Sequence, residues 1–112
     1  MICSGEREAH RQVEQRVANE RVARAARPPR NHLRLHCECG DEGCHGHLTA
    51  TCAEYEAVRA HGSRFLILQT HENTETSIVV SGHAGFDVIE SLGGEPRRIV
   101  LRGNPRDDWP RR

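Results

Sequence analysis

The chain has 112 residues, 36% apolar and 4% aromatic, so it forms one domain at most and its core must be small. Its formal charge is zero but unevenly spread: residues 6–30 carry seven Arg against four acids, 31–92 three against nine, and 93–112 six against three. An acidic centre with basic flanks is a poor footprint for nucleic acid except through those flanks. The longest apolar run, Phe65-Leu66-Ile67-Leu68, is too short to span a bilayer, and Met1-Ile2-Cys3-Ser4-Gly5 is followed at once by charge rather than by the apolar stretch of a secretory signal. The expectation is a cytoplasmic protein, in which five cysteines are metal ligands or reactive thiols rather than a disulfide framework.

Residues 6–27 lack Pro and Gly and are rich in Glu, Gln, Arg and Ala, which predicts a helix. Its apolar positions, Val13, Val17, Ala18, Val22 and Ala25, form a thin stripe of small side chains. That predicts a solvated helix that docks weakly or frays, with a partner-binding or self-associating helix as the sharper alternative. Pro28-Pro29 ends it as a stiff hinge. Next, His32-Leu33-Arg34-Leu35-His36-Cys37 alternates polar and apolar residues, as a half-buried strand does.

The strand feeds the most pointed stretch of the sequence, residues 37–47, with three thiols, two imidazoles and three glycines in eleven positions. On extended backbone Cys37 and Cys39 point to one face. Gly40 and Gly43 then let the chain fold back at positive φ and return Cys44 towards the pair. Three soft donors on one tight turn suit zinc, which takes four in a tetrahedron. Copper(I) is the chemical rival, because a C-x-C pair suits a soft monovalent ion, whereas an iron–sulfur centre wants more thiolates. The bland alternative is three buried, unpaired thiols.

Beyond this knuckle, Thr51-Cys52-Ala53-Glu54 matches a capping box, opening a helix that runs through Tyr55, Val58 and Arg59 to about His61 and stops at Gly62. Residues 65–68 read as a buried strand, and 77–80 with 86–89 as a hairpin around the loop 81–85. From Gly93 onward the prolines and arginines suggest a loose tail, with a short edge strand at 98–101 and Trp109 as a surface anchor. The predicted organisation is an N-terminal helix and linker over 6–30, a small zinc-binding α+β domain over 31–92, and an arginine-rich flexible tail over 93–112.

Five groups are candidates for the fourth ligand: Cys52, His71, His47, His45 and His36. Cys52 would complete an all-thiolate set, but it falls at the first helical position, where a small buried hydrophobe is expected. His71 lies just past a strand end, where a loop can turn a ligand inward. Spacing alone leaves these alternatives open. The run Cys37-x-Cys39-Gly40-Asp41-x-x-Cys44, then Thr51-x-x-Glu54-Tyr55-Glu56-x-Val58-Arg59, Arg64-Phe65 and His71-Glu72, resembles a recurring group of short actinobacterial proteins over roughly residues 34 to 90. In that group the position matching Cys52 is usually an ordinary apolar residue and the histidine matching His71 recurs before a glutamate. The resemblance thus implies a site of Cys37, Cys39, Cys44 and His71. The chain departs from the group's pattern before His71, where Gln69-Thr70 replaces a more turn-like Pro-Gly, and the group brings no function with it.

A zinc site closed by four protein ligands is structural, and a domain this poor in apolar mass needs such a staple. The sequence holds no H-E-x-x-H, deaminase H-x-E with P-C-x-x-C, P-loop or G-x-S-x-G. The other histidines read as solvated, with His45 and His47 placed to supplement the knuckle. The expectation is a small α+β, zinc-stapled domain with a few antiparallel strands and one helix, preceded by the N-terminal helix. It would be a non-enzymatic zinc-binding module docking a protein partner in a regulatory role, with no membrane partner and no evident small-molecule substrate. The alternatives are a zinc-thiolate redox sensor, a weak nucleic-acid binder acting through the arginine-rich ends, and an enzyme with an open site of three protein ligands plus water.

Overall fold

The computed structural model describes residues 4–26 and 31–106. Within them three helices and two small antiparallel sheets make an α+β fold. The elements are α1 (Ser4–Ala25), β1 (His32–His36), β2 (His47–Thr51), α2 (Cys52–Arg59), β3 (Arg64–Ile67), β4 (Ser77–His83), β5 (Phe86–Ser91) and α3 (Glu95–Arg102). The hinge expected at Pro28-Pro29 and the anchor expected of Trp109 lie outside the described residues.

Strand alternation builds the core. The sheet order is β3-β5-β4, and Leu66, Phe86 and Val88 point to one face while Phe65, Ile67 and Ile89 point to the other. The first face packs on Leu33, Leu35, Leu48, Ala50, Tyr55 and Val58 from the β1–β2 hairpin and α2. The second packs on Ala9 of α1, Ile99 and Val100 of α3, and Cys37 and Cys39. The knuckle therefore sits against one of the two cores, as the loop of the β1–β2 hairpin.

Thr51 caps α2 in the capping box read from the sequence: its hydroxyl accepts from the Glu54 N–H, and the Glu54 carboxylate accepts from the Thr51 N–H. The helix ends at Arg59 rather than at His61. The strand β2 was not foreseen, although His47-Leu48-Thr49-Ala50 alternates and buries Leu48 and Ala50 against Leu35 and Leu33. The β4–β5 hairpin forms where expected but with longer strands, leaving a turn of only Ala84 and Gly85, the latter at φ 91°. A bulge at Val80 interrupts β4, which lies at the sheet edge with Ile78, Val79 and Val80 exposed.

Two expectations are corrected. Residues 98–101, read as an edge strand in a loose tail, lie in α3. Pro96 in the first turn suits a helix start, and Ile99 and Val100 are buried. Gly103, which follows α3, approaches α1 so closely that a Cβ there would lie 2.7 Å from both Val13 methyl carbons. The second correction concerns α1, which is bound to the body rather than solvated. Its buried residues are Ala9, Gln12, Arg16, Asn19 and Glu20, a set that is polar except for Ala9, with Val13, Val22 and Ala23 packed beside the cores. Arg16, 1% exposed, donates to the carbonyls of Gly62 (2.7 Å) and Val100 (2.6 Å) and lies 5.1 Å over the Phe65 ring. Burial, together with the like charge of Arg59, lowers its pKa to about 10. Glu20 accepts from the Tyr55 hydroxyl (2.6 Å) and from Arg106 (2.9 and 3.0 Å). Hydrogen bonds thus do for α1 what an apolar stripe does for most helices. Among the described residues no helix is long and apolar enough to cross a membrane.

Candidate metal centre

The knuckle begins by extending the ladder of β1 one step, with the Cys37 N–H donating to the Gly46 carbonyl at 3.0 Å. Extended backbone then sends Cys37 and Cys39 to one side and Glu38 to the other. Glu38 is wholly buried. It accepts from both terminal nitrogens of Arg59 (2.9 and 2.7 Å), from Asn19 Nδ2 (2.7 Å) and from the Leu66 N–H (3.0 Å), while its own N–H donates to the Leu66 carbonyl (2.9 Å). The residue between the two thiols is thus nailed to the centre of the fold. Burial opposes the charge of Arg59, but Glu38 more than offsets this and holds the guanidinium above its ordinary pKa.

Gly40 makes the bend at φ 79°. Its position is fixed by α1: its N–H donates to Gln15 Oε1 (2.9 Å) and its carbonyl accepts from Arg11 Nε (2.6 Å). A Cβ at Gly40 would lie 2.5 Å from Glu8 Cγ and 2.6 Å from the Glu8 carbonyl oxygen, so the site requires glycine for both its dihedral and its closeness to α1. Gly43 does not share that role. It lies outside the positive-φ residues, and the second half of the turn is made by Asp41, whose side chain accepts from the Gly43 N–H (2.8 Å) and whose carbonyl accepts from the Cys44 N–H (3.1 Å).

The β3–β4 loop delivers the imidazole. The His71 N–H donates to the Leu68 carbonyl at 3.1 Å, closing a turn in which Thr70 takes φ 70°. The turn spans the Gln69-Thr70 step. A β-branched residue there stores about 1–2 kcal/mol of backbone strain, held by the surrounding contacts. The same turn aims the Leu68 N–H at Cys37 Sγ (3.2 Å).

The structure brings together Cys37, Cys39, Cys44 and His71, with one ligand atom from each and all four atoms within 4.8 Å of one another. His71 Nδ1 lies 3.6 Å from Cys44 Sγ and 3.8 Å from Cys37 Sγ. A tetrahedral zinc ion with Zn–S near 2.3 Å and Zn–N near 2.0–2.1 Å has an S···N edge of about 3.6 Å, so these separations fit a bound metal. Cys37 and Cys39 are buried, Cys44 is half-buried and His71 is exposed, which closes the centre on its inner side and leaves its outer edge to solvent. The hydrogen bond from the Cys37 thiol, helped by the Asp41 backbone and by His71, lowers the Cys39 pKa to about 5 despite burial, and the same bond with burial raises that of Cys37.

The remaining candidates lie elsewhere. Cys52 packs against the core formed by the β1–β2 hairpin and α2, outside the cluster. His36, His45 and His47 are exposed and do not join it. Sequence reasoning missed the supports: Glu38 and Arg59, Asn19, and the Arg11–Gln15 grip on Gly40. Arg59 stood in the helix motif that accompanies the knuckle, and only the fold gives it a partner. Comparison of the chain with protein-family models, with curated proteins and with solved structures finds no match in any of the three.

Proposed function

We propose that the chain is a non-enzymatic, zinc-stapled module of the cytoplasm that docks a protein partner in a regulatory role, and that it belongs with the short actinobacterial proteins it resembles. The observation that carries the reading is the convergence of three sulfurs and one imidazole nitrogen within 4.8 Å. Four protein donors fill a tetrahedron and leave no position for a substrate. They come from two loops, so a metal there ties the β1–β2 hairpin to the loop that joins β3 to β4, supplying a cross-link where apolar mass is scarce. An imidazole among the donors favours zinc over copper(I). The C-terminal arginines among the described residues speak for a protein module rather than a nucleic-acid binder: Arg97 pairs with Glu90, Arg98 and Arg102 with Glu95, and Arg106 with Glu20 and Glu56.

The test is metal content by mass spectrometry of untagged protein. One zinc per chain, lost in His71→Ala and kept in Cys52→Ala, is the expected result, and a parent protein without zinc overturns the reading. The half-buried Cys44 and exposed His71 favour a redox sensor as the second reading. Mild peroxide separates the two, because a docking module keeps its zinc and a sensor releases it.

A further inference from the structure

The antiparallel register of β1 and β2 sets His36 directly opposite His47. The next rung, Cys37 with Gly46, is hydrogen-bonded, so the His36–His47 rung is of the non-hydrogen-bonded kind, in which side chains stand closest. The outward backbone groups of His36 confirm this. Its N–H donates to Asn19 Oδ1 (2.8 Å) and its carbonyl accepts from Asn19 Nδ2 (3.0 Å), with Asn19 wholly buried. His36 is thereby held by Asn19 of α1, while the next residue, Cys37, is bonded across the hairpin to Gly46.

The two exposed rings have centroids 4.8 Å apart at an interplanar angle of 45°. Neither ring is hydrogen-bonded to another described residue, and their face of the hairpin carries His32, Arg34, Thr49 and Thr51 but no carboxylate. Cross-strand packing holds the two rings together, and their spacing also suits a shared cation. With metal–nitrogen bonds of about 2.0–2.1 Å, a ligating ring has its centroid about 3.2 Å from the metal, and two such rings at bond angles of 90–109° have centroids about 4.5–5.2 Å apart. The observed separation falls inside that span. The rings also line a cleft of about 410 Å³ against α1, where Glu14, Glu42 and His45 supply further donors on the walls.

We infer that His36 and His47 form a second metal site, a surface pair of imidazoles that takes a divalent transition ion of the nickel, copper and zinc class, with water or the cleft walls completing its coordination. The donor type selects these ions over magnesium and calcium, which want oxygen ligands. Neither ring is among the four donors of the thiolate cluster, although Cys37 and Cys44 of that cluster line the same cleft.

The experiment is a calorimetric titration of Ni²⁺ into the untagged full chain, with zinc counted in the same samples by mass spectrometry and released zinc followed by a chromophoric indicator. The expected result is one Ni²⁺ per chain without zinc release. Affinity should fall at least tenfold in His47→Gln and in His36→Ala and stay unchanged in His61→Ala, with circular dichroism the same in all four proteins. Absence of Ni²⁺ binding in the parent, unchanged binding in His47→Gln, or uptake matched by released zinc overturns the proposal.

Discussion

Replacing Glu38 by alanine is the sharpest test of how this fold is held. The Glu38–Arg59 pair is buried on both sides, with side-chain exposures of 0% and 1%. Removing the carboxylate leaves a guanidinium in the interior without its counter-charge, at a cost of about 3–5 kcal/mol. It also strips the acceptor from the Leu66 N–H and from one proton of Asn19, each a further ~1 kcal/mol or more. A total of roughly 5–7 kcal/mol is most of the stability of a small domain. With a urea m-value of about 1.5 kcal/mol/M, the unfolding midpoint of zinc-loaded protein should fall by roughly 3–5 M, or the chain should fail to fold. The double variant Glu38→Met with Arg59→Met should recover most of the loss, because a buried ion pair exchanged for apolar side chains is often neutral. A drop of less than about 0.5 M in Glu38→Ala, or a double variant no better than the sum of its parts, would refute the claim that this pair joins the knuckle to the core.

Gly40→Ala and Gly43→Ala should differ although the residues are three positions apart. The first combines positive φ with a clash against the α1 backbone and should cost roughly 2–4 kcal/mol and speed hydrogen exchange in α1. The second meets nothing nearer than 3.5 Å and should stay within about 0.5 kcal/mol of the parent, so equal melting temperatures would contradict the packing of α1 on the bend. Acid should act through Glu20. Burial raises its pKa, but hydrogen bonds from Arg106 and Tyr55 more than offset this and hold it below its ordinary value of 4.5. Its contribution is therefore complete above that value and is lost as pH falls through the folded one. The parent should be more stable than Glu20→Gln at neutral pH, and the two curves should converge as pH falls below 4.5. Curves that stay parallel would show that the charge of Glu20 is not what holds Tyr55 and Arg106.

Local signals in the sequence were legible wherever one short stretch carried its own physics. The Thr51 capping box, the alternation of His32-Leu33-Arg34-Leu35-His36 and the glycine bend after Cys39 each need only neighbours in the chain. The fourth donor did not. His71 is delivered by a Leu68–His71 turn with threonine at positive φ, which turn preferences argue against, so only resemblance pointed to it. The Ile99-Val100-Leu101 run has the β-branched look of a strand, and its proline and arginines suggested a tail, until packing against α1 makes it helical. The hardest element to read was α1. Gln12, Arg16, Asn19 and Glu20 recur at helical spacing, but polar residues with that spacing look the same on a solvated face as on a buried one. Only the carbonyls of Gly62 and Val100, and the side chains of Glu38, Tyr55 and Arg106, distinguish the two.

The same polar face sets the order in which the molecule assembles. Arg16 and Glu20 take their partners 46, 84 and 86 positions downstream, at Gly62, Val100 and Arg106. A 22-residue helix without a strong apolar stripe has little reason to persist alone in water. Because α1 precedes every one of these partners, it locks only once they are in place. Until it does, the wall that α1 builds over Gly40 is missing, which gives a metal wider access to the knuckle than the finished fold allows.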